Sequence, residues 1–474
     1  MTLATEPDLA APFQWRRWPE TESLINELTR QSLAGHAFAA SLAERLPPET
    51  GTIFQNWLDH FVVAAPPSFA NRLVTLGYER TPDTHSVGVP VYAHPGGVFP
   101  RIAVGPKPKS SAGAEPVVRD VGLKVESVAA FSGAHDLGLR LQGYPMGPLR
   151  SARVPGEGVD LVVVERRAYL GFENYPTEAA RRGLMKPHAA REALAARDLW
   201  LARRRRFDDD AEGFAATEAL VDEVIETAGS ADLACHLIFE VERDYWQARN
   251  RAAQVQKARQ DRFGLGWANH DHHTFRSSRR FFPNLIRIFT RLGFFLRERF
   301  HAGEHAGWGA QVLEHPTTGI VIFADLDLAP DEATQDFARH PLPDLARPGT
   351  VGLWVALHGE SILEAGMHHL EAQFEFDALR DGLRAEAGIE TMKPFSDFPF
   401  LRQAFTAGER WAVSSKRADR ALAAGWITQE QRDKFVNEGT IGSHLENLQR
   451  REGFKGFNQQ AVSAIIAATD PRLH

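Results

Sequence analysis

Cysteine is almost missing from this chain, because Cys235 is the only one among 474 residues. A single thiol excludes an intramolecular disulfide and any metal cluster built on several cysteines. Long apolar runs are missing as well. The most apolar helix-like stretch, LIRIFTRLGFFL (285–296), carries two arginines and falls short of the roughly 18–20 residues that cross a bilayer. The sequence therefore indicates neither a disulfide-built scaffold nor a membrane-spanning protein.

An excess of positive charge is also missing, since the formal net charge is −7. This balance gives no reason to expect a nucleic-acid partner. One stretch, LARRRRFDDD (201–210), places four arginines beside three aspartates, and such abutting runs predict a solvated helix surface. The first residues, MTLATEPDLAAP, form neither the basic nor the apolar region of a secretory signal, which predicts a cytoplasmic protein.

What the sequence does contain is a repeated unit. Three stretches, 58–80, 270–299 and 367–390, each open with a strand-like segment that holds a histidine, continue as an amphipathic helix and end at a glycine. In the first two a His-Pro turn then joins two β-rich runs, at 91–104 and 312–325. A fourth, weaker copy at 124–145 lacks the histidine. The unit is β-α-β-β with a further strand.

Four such units predict an α+β fold of paired βαβββ units in two pseudo-symmetric halves, with helical insertions. A chain of this length is expected to form two or more domains. We expect a helical N-terminal segment at 1–56, a structural half at 57–175, a helical insertion at 176–262 and a metal-binding half at 263–474.

The second half concentrates the histidines. In the predicted strand HDHHTFR (270–276), alternation places His270, His272 and Thr274 on one face and Asp271, His273 and Phe275 on the other. A second strand, GMHHLEAQ (366–373), brings its own histidines. Two imidazoles and one carboxylate that leave adjacent positions open suit Fe(II) and oxygen chemistry, and zinc is the rival metal for such ligands.

The third ligand has two candidates. Glu446 lies in SHLENLQRREGF (443–454), and Glu371 lies two residues after His369 on the same strand face. Spacing alone does not choose between them. A shift of one residue in register would exchange His272 for His273. His60 occupies the matching position of the first unit. The unit that would pair with it, the fourth copy, has no histidine at the start of its strand, and we therefore interpret His60 as a remnant of the repeat.

These residues carry a family resemblance. The β-α-β-β units resemble the vicinal oxygen chelate superfamily, and the second half is similar to its Fe(II) 2-oxo-acid dioxygenases. Residues 365–390 resemble the Gly-x-x-His strand and following helix of 4-hydroxyphenylpyruvate dioxygenases, and residues 446–465 resemble their final Glu-x-x-Gln-Arg strand, Gly-Phe loop and C-terminal helix. DHHTFRS (271–277) is similar to the Asp-His-x-x-x-Arg-Thr/Ser strand of 2-oxoadipate dioxygenases/decarboxylases.

The resemblance implies a ligand set and a substrate site. It implies that Fe(2+) is bound by His272, His369 and Glu446, with His273 and Glu371 as the next choices. It also implies that Arg276 binds a substrate carboxylate, a task that a guanidinium fork suits. The residues that would line or gate the pocket are Gln449, Gln460 and the loop 453–458. Before Glu446 the chain departs from the family, because 414–439 is typical of two helices around a Gly-Trp turn.

The leading hypothesis is a non-haem Fe(II) dioxygenase that oxidatively decarboxylates and hydroxylates a 2-oxo acid. Its partners are then the small-molecule 2-oxo acid and O2, with no nucleic acid and no membrane, while the sequence leaves a homo-oligomer open. Paired βαβββ units host several reactions. The alternatives are an extradiol-type dioxygenase, a metal-dependent isomerase or lyase, and a non-catalytic small-molecule binding protein.

Overall fold

Two mixed β-sheets and their covering helices make up the computed structural model, which describes residues 15–85, 88–107, 115–172, 187–301, 307–458 and 470–473. Each sheet is built from two consecutive units in which a strand and a helix are followed by further strands. The predicted α+β fold of paired units is confirmed. None of the helices among the described residues combines the length and apolarity that a bilayer crossing requires.

Two helices precede the first sheet. Helix α1 (Pro19–Ala34) starts at a proline, a residue favoured in the first turn, and α2 (Ala37–Thr50) starts where the His36 ring accepts a hydrogen bond from the backbone N–H of Ala39. Their buried leucines join the core of the first sheet. The N-terminal helices therefore cover one face of that sheet.

The first sheet belongs to the first half of the chain. Its elements are β1 (Leu58–Ala65), α3 (Pro67–Thr75), β2 (Glu79–His85), β3 (Val89–Ala93), β4 (Arg101–Pro106), β5 (Val117–Lys124), α4 (Val128–Ala134), β6 (Leu149–Val154) and β7 (Asp160–Arg166). The strand order is β2-β3-β4-β1-β5-β7-β6. The first strands of the two units, β1 and β5, pair antiparallel at the centre.

Between the two sheets along the chain come four helices: α5 (Pro187–Leu201), α6 (Asp210–Ala228), α7 (Ala231–Gln247) and α8 (Arg251–Asp261). Their buried residues, among them Trp200, Phe214 and Trp246, share one hydrophobic core with Phe275 and Leu370 of the second sheet. The helices consequently cover one face of the second sheet.

The basic stretch at 203–206 departs from its prediction. The side chains of Arg203 and Arg205 are 2% and 13% exposed, and both bind Glu242 of α7, at 2.9 and 2.7 Å. A fully buried carboxylate needs cations around it, so this part of the predicted solvated surface is wrong. The two arginines also donate hydrogen bonds to the backbone oxygens of Ile362 and Leu363, and they thereby fix the segment that leads into the next strand of the sheet.

The second sheet belongs to the second half of the chain. Its strands are β8 (His270–Arg276), β9 (Phe295–His301), β10 (Trp308–Glu314), β11 (Val321–Asp327), β12 (His369–Gln373), β13 (Ser396–Phe398), β14 (Leu401–Phe405), β15 (Glu409–Trp411) and β16 (Thr440–Arg450). The order is β13-β14-β16-β12-β8-β11-β10-β9, with β15 paired to β16. The first strands of its two units, β8 and β12, again pair antiparallel.

Five helices accompany these strands: α9 (Phe282–Arg291), α10 (Thr350–His358), α11 (Phe376–Ala387), α12 (Ser415–Ala423) and α13 (Gln429–Glu438). Gly293 and Gly388 follow α9 and α11 in the left-handed region, at φ 98° and 64°, where glycine is favoured. The glycine ends predicted for these helices are thus confirmed. Helices α12 and α13 are the predicted pair before Glu446, and a long strand follows them.

A candidate metal centre on the second sheet

Three neighbouring strands carry the predicted ligands. Glu371 of β12 lies directly opposite Glu446 of β16 in a parallel pairing. His369 of β12 lies opposite Thr274 of β8 in an antiparallel pairing. The neighbouring residues Leu370 and Leu445 pack in the core under the helices, so alternation turns His369, Glu371 and Glu446 to the other face of the sheet.

Strand β8 reaches the same face through a bulge. Its pairing with β12 moves from Leu370↔His273 to Ala372↔His270, which leaves Asp271 and His272 together opposite the single residue between Leu370 and Ala372.

The bulge resets the alternation along β8. His270 stays on the helix side, where its ring centroid is 5.1 Å from that of His273, and His273 packs 5.3 Å from Phe239 of α7. Asp271 and His272 both turn to the opposite face. The sequence predicted that His270 shares a face of the strand with His272, and Asp271 with His273. Both predictions are wrong, because the bulge inserts one residue and so shifts the alternation.

Four of the residues named from the sequence as ligands or next choices meet on this face. The Nε2 atom of His369 lies 3.2 Å from Oε2 of Glu446, and Nδ1 of His272 lies 3.2 Å from Oε2 of Glu371. One ligand atom each from His369, Glu371 and Glu446 falls within 4.8 Å of the others, as do atoms of Asp271, His272 and Glu371. His273 is on the far side of the sheet and is not part of this cluster.

Burial and charge set the protonation of these groups. Burial, aided by the positive charge of Arg276, holds the pKa of His369 well below its ordinary value, so its imidazole is neutral. Burial would also lower the pKa of His272, but the carboxylates of Asp271 and Glu371 outweigh it and raise that pKa. Burial and the neighbouring Glu371 raise the pKa of Glu446 well above its ordinary value. A cation placed among these oxygens would relieve the repulsion between the two glutamates.

The cluster leaves polar atoms without partners. Nδ1 of His369 and Nε2 of His272 are buried and make no hydrogen bond within the described part of the chain. Buried polar atoms nearly always have partners. Two imidazoles and carboxylate oxygens, partly unsatisfied and gathered on one face, form a donor set that fits a divalent transition metal.

Further side chains hold the ligands in place. Gln403 of β14 donates a hydrogen bond of 3.1 Å to Oε1 of Glu446. Asp271 contacts Nδ1 of His272 and accepts a 3.0 Å hydrogen bond from Gln373. Arg450 lies 3.3 Å from the same carboxylate. Partners of this kind orient a metal-binding histidine and fix its tautomer.

The loop after β16 covers His272. The ring of Phe457 lies 4.5 Å from the His272 ring and 4.4 Å from that of Phe323. Arg450 holds the loop by hydrogen bonds to the backbone oxygens of Phe454 and Gly456. The predicted pocket loop 453–458 therefore lies against a candidate ligand.

A cavity opens beside the cluster and is lined by His369, Glu371 and Glu446. Aromatic rings form much of its wall, contributed by Phe300, Trp308, Phe323, Phe395, Phe405 and Phe457. An apolar lining with few polar groups is typical of a small-molecule site.

Arg276 lies in the same cavity, at the end of β8. It is buried, its Nε is 3.7 Å from Oδ2 of Asp325, and its guanidinium carbon is 5.5 Å from the ring of Trp354. Burial lowers the pKa of Arg276 to about 10, against the opposing effect of Asp325, which leaves it charged at neutral pH. Arg276 lies four positions along β8 from His272, which corresponds to about 13 Å of backbone.

Of the two predicted glutamines, Gln449 is not among the residues that line this cavity. Gln449 is three residues from Glu446, on the other face of β16, and its Oε1 accepts a 2.9 Å hydrogen bond from the backbone N–H of Phe376 at the start of α11. The pocket role expected for Gln449 is therefore corrected to that of a helix-start partner. Gln460 lies outside the described residues.

Sequence reasoning did not find Asp325 and Gln403. Asp325 ends a buried strand-like run, VIFAD (321–325), where an acidic residue is unusual enough to be a signal. Gln403 in LRQAF (401–405) carries no such signal, because its position beside Glu446 depends on the strand order of the sheet.

No protein-family profile and no curated protein matches the sequence. Among solved structures, a protein placed in the glyoxalase superfamily, from Ralstonia eutropha JMP134, is 14% identical, covers 58% of this chain and 99% of its own, and has a TM-score of 0.33. A mutant of 4-hydroxymandelate synthase from Streptomyces coelicolor is 11% identical over 88% of this chain and 97% of its own, with a TM-score of 0.24.

The uncharacterized protein YdcJ from Shigella flexneri is 13% identical over 54% of this chain and 73% of its own, with a TM-score of 0.23. At identities of 14% or less and TM-scores of 0.33 or less, the fold assignment rests on the strand order and pairings of the chain itself.

Proposed function

We propose that this protein is a non-haem Fe(II)-dependent dioxygenase that catalyses the oxidative decarboxylation and hydroxylation of a 2-oxo acid. The observation that carries the proposal is a buried group of two histidines and two glutamates on one face of the second sheet, beside a cavity that Arg276 also lines. The family resemblance of these residues supports the same activity.

The proposed ligands of the iron are His272, His369 and Glu446. Glu446 is favoured as the carboxylate because Gln403 holds its Oε1 while its Oε2 lies 3.2 Å from Nε2 of His369. Glu371, which lies 3.2 Å from His272, is the competing ligand. Fe(II) held by two imidazoles and one carboxylate supplies open positions for the chelation of a 2-oxo acid and the activation of O2.

The remaining residues bind and shield the substrate. Arg276 would hold the end of the substrate that is remote from its 2-oxo acid group, because a buried guanidinium offers several donors in a fixed geometry. The rings of Phe323 and Phe457 lie next to His272 and would exclude water from the oxidising site.

Metal content and gas exchange test the proposal. The protein is purified without oxygen, its iron is measured, and O2 uptake and CO2 release are followed with a panel of 2-oxo acids. We expect about one iron per chain, lost in His272→Ala and in His369→Ala, and equal amounts of O2 consumed and CO2 released. His60→Ala, at the matching position of the first half, is the control and should keep its iron.

Other outcomes point to other functions. O2 uptake without CO2 release would favour ring cleavage of the extradiol type, and metal without O2 uptake would favour an isomerase or lyase. Absence of bound metal from the wild-type protein would contradict the proposal and favour a binding protein. Iron loss in Glu371→Ala but not in Glu446→Ala would reverse the choice of carboxylate.

A further inference from the structure

The end of the cavity near Arg276 contains a second group of unsatisfied polar atoms. Asp325 of β11 lies directly opposite Arg276 of β8 in the parallel pairing of these strands, and both residues line the cavity. The indole of Trp308, on the neighbouring strand β10, lines it as well. Three neighbouring strands thus each present one polar side chain to the cavity.

Two of these side chains offer free donors. Nε1 of Trp308 is buried and makes no hydrogen bond with the described residues, and the same holds for Nε of Arg276. The ring of Trp308 is fixed against Phe300, with 5.2 Å between the ring centroids. An indole N–H usually finds a partner when it is buried, and this one belongs to a residue that lines the cavity.

The third side chain offers an acceptor. Asp325 is 3% exposed, and its closest cation is Arg276, whose Nε stands 3.7 Å from Oδ2, which is longer than a hydrogen bond. A buried carboxylate is costly unless donors or cations surround it. Burial raises the pKa of Asp325 to about 7, although Arg276 opposes this.

The charges of this end nearly cancel, because one buried guanidinium faces one buried carboxylate. A substrate carboxylate would satisfy Arg276 and Trp308 but would place its negative charge beside Asp325, and like charges in a buried site repel. A primary carboxamide has both parts that the site lacks, because its oxygen accepts from Arg276 and Trp308 and its NH2 group donates to Asp325.

We infer that the end of the substrate remote from the 2-oxo acid group is a neutral group that both accepts and donates hydrogen bonds, a primary carboxamide, and that Asp325 selects it against a carboxylate. This inference rests on the proposed function for the other end of the substrate. It replaces the distal carboxylate that the family resemblance implies for Arg276.

Stable analogues that are not oxidised test the selection by binding alone. The probes are N-oxalylglycine, N-oxalyl-β-alanine and N-oxalyl-4-aminobutyrate, each as the free acid and as the primary amide of its distal carboxyl group. Their dissociation constants are measured by calorimetry at pH 8, under argon, with the full chain loaded with Fe(II). For the chain length that fits, we expect the amide to bind about 10- to 100-fold more tightly than the acid.

Variants assign the selection to Asp325. Asp325→Asn removes the negative charge and adds an NH2 donor, and we expect it to prefer the acid over the amide. Trp308→Phe should weaken both members of a pair by similar factors, since it removes a donor that both use. Asp120→Asn, a matched change in the first sheet, should leave every dissociation constant unchanged.

The outcomes separate this inference from the proposed function. Tighter binding of the acid by the wild-type protein, equal binding of the two, or binding of neither would overturn the carboxamide assignment. An unaltered preference in Asp325→Asn would overturn the role of Asp325. Because no probe is oxidised, a failure of the protein to consume O2 with 2-oxo acids would contradict the proposed function and leave the binding preference readable.

Discussion

The two halves of the molecule share an aspartate–histidine pair that contacts an arginine, but they differ in the residues around this group. In the first sheet Asp59 contacts His60 at 2.6 Å and binds Arg166 of the last strand, β7, at 2.7 Å. In the second sheet Asp271 contacts His272 and lies 3.3 Å from Arg450 of the last strand, β16. Both histidines lie where the first strand shifts its register against its antiparallel neighbour.

The aromatic neighbours of these histidines correspond as well. The ring of Phe172 lies 4.8 Å from His60, and that of Phe457 lies 4.5 Å from His272. In each half an arginine guanidinium also stands over that phenylalanine, Arg166 at 5.0 Å and Arg450 at 5.3 Å. The Asp-His-Arg-Phe group therefore belongs to the architecture of a half and is not by itself a sign of metal binding.

The difference lies in three positions of matching register. Val62 pairs with Asp120 as Thr274 pairs with His369, and Gly122 pairs with Val162 as Glu371 pairs with Glu446. At these positions the first half has Asp120, Gly122 and Val162, where the second half has the proposed ligand His369 and the glutamates Glu371 and Glu446.

The glycine has a steric reason. A Cβ at Gly122 would collide with the ring of His60, so the first half accommodates its histidine ring in the space that Glu371 occupies in the second. The shared fold thus positions one histidine in each half, and among the described residues the second half alone adds the other proposed ligands to it.

The largest effect is expected when the second half is given the residues of the first. Glu446→Val and His369→Asp each remove a proposed ligand, and we expect loss of stoichiometric iron and of all O2 uptake. Iron is measured by atomic emission, and circular dichroism checks that the variants fold. The companion change Asp120→His in the first half should gain no iron, because Val162 supplies no carboxylate. Full iron retention in Glu446→Val would contradict the ligand assignment.

The helices that cover the second sheet contain a buried ion cluster, formed by Glu242 with Arg203 and Arg205. A change at Glu242 tests how much this cluster stabilises the fold. Burial alone would raise the pKa of Glu242, but the positive charges of Arg205 and Arg203 hold it at about 2. The carboxylate therefore stabilises the fold above its unfolded pKa of about 4.3, and that contribution is lost as the pH falls towards 2. Glu242→Gln leaves two arginines without their partner and should lower the free energy of unfolding by about 3–5 kcal/mol at pH 7.

The measurement is urea unfolding at pH 7 and at pH 3. The wild-type protein should lose stability between the two pH values by more than Glu242→Gln does. Glu126→Gln, a change at a partly exposed glutamate that pairs with Lys257, is the control and should alter stability by about 1 kcal/mol or less. Equal stability of Glu242→Gln and wild type at pH 7 would show that the buried ion cluster does not stabilise the helices.

A smaller effect on iron affinity is expected from changing the aspartate beside the histidine in each half, Asp271 or Asp59. Asp271→Asn weakens the group that orients His272, and we expect iron affinity to fall about 10- to 100-fold. Asp59→Asn breaks the matching contacts in the first half and should leave iron affinity unchanged. Competition with a chelator measures both. An equal loss of iron affinity in the two variants would mean that the effect comes from general destabilisation.

Part of this structure could be predicted from the sequence. The repeated strand, helix and glycine gave the paired units, because those signals are local and recur at similar spacing. The same local signals indicated helices α12 and α13 before Glu446. The β-bulge at Asp271 and His272 could not be read in this way, because it depends on how β8 pairs with a strand about 100 residues away.

The site was predictable to a similar extent. His272, His369, Glu371 and Glu446 could be named because each lies on a strand with a recognisable pattern. The pocket role of Gln449 failed on a simple point, since an odd separation from Glu446 turns it to the opposite face of a strand. Asp325 and Trp308 reach Arg276 only through the strand order, and that order is a property of the whole sheet.

Strand order also governs the sequence of events in folding. Strand β16 is the last strand in the described part of the chain, yet it lies inside the sheet, between β12 and β14. During synthesis the edge of β12 therefore has no partner on that side until residue 450 has left the ribosome, and an unpaired strand edge invites aggregation. Because Glu446 arrives on this final strand, the complete donor set exists only once the sheet has closed, and iron binding would serve as a marker of a finished fold.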